Sequence, residues 1–236
     1  MNIYSVTRQG GKRPNNEDHF LFRQYNNDTV LLAIADGMGG HAAGEVASEI
    51  AINAIKDLDP NVEAMESHLA KLLLKASLQV QKRASEDSSL EGMGTTLSVV
   101  LVRNEKAYWI HVGDTRIYLF RDGRLYQITE DHTMPQLFVK EGEITKEEAR
   151  LHPLHHALLN CIGPDEYEAD QGSFLVAGKD LLMLSTDGLH DALSDVDMES
   201  ILGRNADLEE KVNALVSAAL QAEGEDDITV ITVELF

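Results

Sequence analysis

The sequence predicts an α+β layered sandwich, with antiparallel sheets and helices packed outside them. Strands come in consecutive blocks, long helix pairs separate those blocks, and the regular strand–helix–strand alternation of a parallel sheet is missing. The first block spans the opening 36 residues: Ile3 to Thr7 alternates, His19 to Tyr25 is aromatic-rich, and Thr29 to Ala35 is a near-continuous apolar run ending at Asp36. Helical spacing then takes over from Ala42 to Leu58, where Val46, Ile50, Ala54, Ile55 and Leu58 form one stripe. Pro60 breaks the pattern, and a second helix is expected from Val62 to about Ser85 on Leu69, Leu72, Leu73, Ala76 and Val80.

Strand character returns over Thr95 to Val102, Ala107 to Val112, Arg116 to Arg121 and Leu125 to Thr129. The Asp122-Gly123 pair between the last two is a strong hairpin signal. Asp131 to Pro164 is polar and rich in histidine and glutamate, and reads as an excursion from the core with short helical pieces. Strands Ser173 to Val176 and Asp180 to Thr186, helices at about Asp195 to Leu202 and Leu208 to Glu223, and a strand from Ile228 to Leu235 complete the order. There is no internal repeat and no low-complexity linker, so one domain over 1–236 is expected.

The formal charge is −20, from 40 acidic and 20 basic residues. That field repels nucleic-acid phosphates and anionic membrane, which argues against both as partners. Acidic runs such as Glu141 to Glu148 and Asp195 to Glu210 supply most of it and read as solvated helix faces. The single cysteine, Cys161, excludes an intramolecular disulfide framework and a cysteine-rich zinc site, and packing is its expected role. No basic stretch leads into an apolar segment near the N-terminus, and no apolar run approaches the roughly 18 residues that span a bilayer. A cytoplasmic setting is expected.

The chemistry concentrates in segments that place acids beside glycines or at strand ends: Arg13-Pro14-Asn15-Asn16-Glu17-Asp18, Ala35-Asp36-Gly37-Met38-Gly39-Gly40-His41, His111-Val112-Gly113-Asp114-Thr115-Arg116, Ser185-Thr186-Asp187-Gly188-Leu189 and Glu225-Asp226-Asp227-Ile228-Thr229. A single Asp-Gly pair after a strand is ordinarily a turn. Several on one plan point to carboxylates gathered in a pocket, where they repel unless cations neutralise them. Oxygen-only ligation favours Mg²⁺ or Mn²⁺ over zinc or copper. Two such ions about 3.5–4 Å apart lower the pKa of a bridging water and brace an in-line displacement at phosphorus. Glycines after Asp36 let backbone carbonyls approach an ion, and Arg13, close before Glu17 and Asp18, can clamp a phosphate dianion.

The order and wording of these segments resemble the bacterial metal-dependent Ser/Thr protein phosphatases of the PPM, or PP2C-type, family. The resemblance covers essentially the whole chain and includes Gly94-Thr95-Thr96, Gly113-Asp114-Thr115-Arg116 and Asp131-His132, with the string Ala-Asp-Gly-Met-Gly-Gly-His the most specific part. It implies a four-layer α-β-β-α sandwich of two antiparallel sheets flanked by helices. It implies that Asp36 bridges two Mn²⁺ or Mg²⁺ ions, that the Gly37 carbonyl completes one with Glu17 or Asp18 nearby, directly or through water, and that Asp187 and Asp226 hold the other. Arg13 matches the phosphate-binding arginine, Asp114 and Asp187 match a third-ion site, and Asp131 to Gly163 matches a mobile flap beside the site. The implied activity is hydrolysis of phosphoserine and phosphothreonine in proteins by direct attack of a metal-activated water. A monomer opposing a bacterial Ser/Thr kinase is the expected setting.

This chain departs from the family's usual pattern in two places: Asp226-Asp227 replaces Asp-Asn, and Met38 stands where eukaryotic relatives often carry a histidine. Methionine cannot donate a proton, so leaving-group protonation must come from elsewhere. A catalytically weak phosphoprotein-binding module and a hydrolase of small phosphoesters are the competing readings. His152, His155 and His156 read as exposed flap histidines rather than a metal site, His132 as an ordinary hydrogen-bonding residue, and Trp109 as a core residue.

Overall fold

The computed structural model describes residues 1–11, 13–39, 43–164, 166–222 and 226–236. The expected helix start at Ala42, the Gly40-His41 end of the glycine-rich string, the expected helix end at Glu223 and Glu225 lie outside them. The described strands form two antiparallel sheets. One runs β1 (Asn2–Arg8), β11 (Ile228–Glu234), β10 (Leu181–Ser185), β7 (Arg116–Arg121), β8 (Arg124–Gln127). The other runs β2 (Asp18–Asn26), β3 (Thr29–Met38), β5 (Leu97–Arg103), β6 (Lys106–Val112), β9 (Asp170–Leu175), with β4 (Gly94–Thr95) paired to the end of β3.

The apolar run in β3 follows from burial on both faces. Successive side chains on a strand point to opposite sides. Leu31, Ala33 and Ala35 pack with α1 (Ala43–Ile55) and α2 (Met65–Glu86), through residues such as Ala51, Ile55, Leu69 and Leu73. Val30, Leu32 and Ile34 point the other way and meet Ile117, Leu119, Leu182, Leu184, Ile231 and Val233 of the facing sheet. The second sheet's outer side is covered by α6 (Asp195–Leu202) and α7 (Leu208–Gln221), through Met198, Leu202, Val212 and Leu215 against Val6, Tyr118, Met183 and Val230. These are the four expected layers. Each fully buried Leu or Ile contributes about 1.5–3 kcal/mol, enough in sum to tolerate an electrostatically costly edge.

Local differences from the sequence reading have identifiable causes. The strand expected over Thr95 to Val102 is split at Thr96, whose backbone N–H turns to the Asp36 carbonyl at 2.9 Å. The strand expected from Ser173 begins at Asp170, because β9 lies at a sheet edge where polar residues are tolerated and weaken the alternation. The excursion folds as α3 (Met134–Glu141), started by Thr133 and ended by left-handed Gly142, and α4 (Lys146–Arg150), held by a Thr145–Glu148 capping box. Its roots are anchored at both ends. Arg116 makes a paired contact to Asp131 at 2.8 and 2.6 Å, and Thr95 and Ile162 exchange backbone hydrogen bonds at 2.9 Å. Among the described residues, no helix is long and apolar enough to cross a membrane.

Candidate metal centre

One edge of the sandwich collects the acids. Asp18 opens β2 directly opposite Asp36 near the end of β3. Asp114 follows β6, Asp187 follows β10, and Asp226 and Asp227 precede β11. Antiparallel pairing brings these ends together: Ser185, just before Asp187, is in register with both Arg116 and Val230. The Asp187-Gly188 pair does not form a plain turn but starts a short helix, α5 (Asp187–His190). A Cβ on Gly188 would lie 2.2 Å from the Asp227 carbonyl, so only glycine lets α5 sit against the start of β11.

A second close approach shapes the other wall. A Cβ on Gly37 would lie 2.1 Å from the Gly44 carbonyl, and one on Gly44 would lie 2.7 Å from Glu17 Oε1. The end of β3 thus presses on the first turn of α1 with Glu17 beside it. Ser48 of α1 ties this wall together by donating to the Glu17 carbonyl at 2.6 Å.

The carboxylates are left short of partners. Thr186 Oγ1 donates to Asp18 Oδ2 at 3.0 Å, but Asp18 Oδ1, Glu17 Oε1 and Asp187 Oδ1 are buried without a hydrogen-bond partner among the described residues. Burial, followed by repulsion from Asp18, Asp187, Asp114 and Asp226, pushes the Asp36 carboxyl well above the usual range. Burial and Asp187 do the same to Asp18 and Asp114, and burial raises Glu17 against the pull of Arg13. Two like charges about 4 Å apart repel by about 4 kcal/mol at an effective dielectric of about 20. Orphaned oxygens and mutual repulsion in an all-oxygen donor set fit hard divalent cations.

Arg13 is engaged here. Its Nε and Nη2 donate to both oxygens of Asp226 at 2.7 and 2.6 Å, and Nη1 reaches Glu17 Oε2 at 3.4 Å. The neighbouring acids, Asp226 and Asp227, have separate jobs. Asp227 is 3% exposed and turns inward, accepting from the Gly10 amide and the Glu17 amide, each at 2.8 Å. Asp226 faces Arg13 and Asp36. Met38, at the end of β3, is 38% exposed. Cys161 is buried, and burial pushes its thiol up to about 11, which suits packing.

Sequence reasoning missed Asp227 as a buried double acceptor, Thr186 as the donor to Asp18, Gly44 as the partner of Gly37, and Asp191. The last was findable: it stands four residues after Asp187, and its backbone N–H closes α5 on the Asp187 carbonyl at 2.8 Å.

Residues 9–223 match the family model described as Protein phosphatase 2C. The chain belongs to the protein phosphatase 2C family. It is 33% identical over 240 residues to protein phosphatase PhpP of Streptococcus pneumoniae, covering 100% of this chain and 98% of that protein. Its fold matches serine/threonine phosphatase Stp1 from Staphylococcus aureus at a TM-score of 0.93 with 30% identity, covering 99% of this chain and 94% of that one. It also matches the catalytic domain of PstP in complex with two manganese ions, at a TM-score of 0.89 with 34% identity, over 99% of this chain and 97% of that one. As a PP2C-family member, this chain is a metal-dependent phosphatase with the fold expected from its sequence.

Proposed function

We propose that the chain removes phosphate from phosphoserine and phosphothreonine in proteins, using Mn²⁺ or Mg²⁺ held at the acidic edge. The observation that carries this is the set of buried oxygens on Glu17, Asp18 and Asp187 around Asp36 that have no partner among the described residues, in a donor set without sulfur. Asp36 would serve two ions, with the Gly37 carbonyl and Glu17 or Asp18 on one and Asp187 and Asp226 on the other. Asp114 and Asp187 would serve a third. When bound, such ions acidify the attacking water and neutralise charge on the phosphate oxygens.

The chain's own residues do the positioning. Arg13 lies at the rim, and its fork matches a phosphate dianion. Asp226 keeps that fork aimed at the site until substrate competes for it. Thr186 orients Asp18, and Asp227 fixes the Glu17 backbone. The stretch Asp131 to Gly163 would act as a flap that influences which phosphoprotein enters, a reading supported by Arg150 Nη1 donating to the Asp191 carbonyl at 3.2 Å. A Ser/Thr kinase acting on the same substrates is the partner this reading expects.

The test is phosphate release from a phosphothreonine peptide by the purified chain with Mn²⁺, with Mg²⁺ and with excess chelator. Release should require the ion, and activity that survives chelation ends the proposal. Asp36→Asn should abolish release while leaving the metal-free protein as stable as wild type or more so, because one source of repulsion is gone.

A further inference from the structure

The flap carries a second donor set of different chemistry. His155, His156 and Asp191 place one ligand atom each within 4.8 Å of one another, where the turn after α4 meets the end of α5. His155 Nε2 lies 3.7 Å from Asp191 Oδ2, and His156 Nδ1 lies 3.5 Å from the same oxygen and 3.3 Å from Asp187 Oδ2. In a tetrahedral site with bonds of about 2.0–2.1 Å, neighbouring ligand atoms are about 3.4 Å apart. The two separations from Asp191 lie close to that edge length, and the two ring nitrogens lie within 4.8 Å of each other, so closing the site requires the histidines to draw in on Asp191.

The second-sphere arrangement also suits a metal. His155 Nδ1 lies 2.8 Å from the His152 carbonyl, which can only accept, so that nitrogen carries the proton. Nε2 faces Asp191 Oδ2 at 3.7 Å. An imidazole that donates one N–H to a backbone carbonyl while offering the other nitrogen is the usual posture of a histidine ligand. The two rings sit with centroids 3.7 Å apart.

We infer that His155, His156 and Asp191 form a transition-metal site for Zn²⁺, distinct in its nitrogen ligands from the all-oxygen centre beside it. Imidazole and carboxylate together select borderline ions over Mg²⁺. Three protein ligands leave a fourth position open for water. A bound ion would pin the 152–156 turn to α5 and so hold the flap against the mouth of the centre.

The experiment uses the full chain in excess Mg²⁺, which occupies hard-oxygen sites, and titrates in Zn²⁺ by equilibrium dialysis with metal counting and by native mass spectrometry. Wild type should take up one additional zinc per chain. His155→Ala/His156→Ala should weaken that uptake by about a hundredfold or more, since two of three ligands are gone, with circular dichroism showing the fold retained. Asp191→Asn is an independent second variant and should also weaken it. Co²⁺ in place of Zn²⁺ should give the intense visible bands of a tetrahedral nitrogen–oxygen site, absent from the double variant. Equal zinc uptake by wild type and the double variant, or none by wild type beyond the oxygen centre, overturns the inference and leaves a plain ion pair. Every readout is of binding, so the result does not depend on whether phosphate is released.

Discussion

Replacing Asp227 with asparagine tests how the acidic edge is built. The side chain is buried, and each of its oxygens accepts from a different backbone N–H, Gly10 on one side and Glu17 on the other. Asparagine has one oxygen and one NH₂ group, so in either orientation one buried amide faces a donor. An unsatisfied buried donor costs about 1–3 kcal/mol, and the surviving bond loses its charge assistance. Some repulsion is relieved, but Asp227 ranks behind burial and Arg13 in its influence on Glu17, so the loss dominates. The expected net cost is about 2–3 kcal/mol. For a chain of this size, where 1 kcal/mol shifts Tm by about 2–4 °C, that is a fall of roughly 4–12 °C. Thermal unfolding in metal-free buffer, followed by circular dichroism, measures it. Activity should also require more Mn²⁺, because the freed Glu17 amide loosens a wall of the site. An Asp227→Asn variant that melts at or above the wild-type temperature refutes the reasoning, and refutes it specifically for this chain, since the family usually has asparagine there.

Two further outcomes follow from the same geometry. Arg13→Ala should raise KM for a phosphothreonine peptide with a smaller change in kcat, lowering kcat/KM by roughly 10–100-fold for a lost charged contact of about 1.5–3 kcal/mol; Arg13→Lys should restore it only in part, and an unchanged KM would remove Arg13 from the substrate site. His111 is buried between Ser98 and the Glu130 carbonyl, and burial lowers its pKa to about 4. The unfolded chain takes that proton near 6.5 while the folded chain refuses it until about 4, so stability is full above 6.5 and drains by up to about 3 kcal/mol as pH falls toward 4. Urea midpoints of wild type and His111→Gln across that range measure it: wild type should lose midpoint relative to the variant as pH falls below 6.5, and parallel curves would contradict the assignment.

Much of the fold was legible because local patterns have covalent causes. The two-residue period of a strand and the 3.6-residue period of a helix let Thr29 to Ala35 and Leu69 to Val80 announce themselves, and a strand apolar at every position had to be covered on both sides. The acids beside glycines marked the edge where the chemistry sits, because a tight strand-to-loop turn near a ligand needs both residue types. The edge of the sheet was less legible: β9 shows weak alternation because it is the last strand of its sheet, where polar residues are tolerated.

The linear order of residues determined the elements, their sequence along the chain and the stock of carboxylates. It gave Asp226 a metal only through the family resemblance and gave Asp227, an identical side chain one position on, no task at all. Only the folded chain turns one toward Arg13 and the other onto the amides of Gly10 and Glu17. Nor could it bring His155 and His156 to Asp191, or Thr186 to Asp18, 168 positions away. Such pairings arise where distant strand ends converge, and their partners are chosen by packing register across the sheets, which no local period encodes.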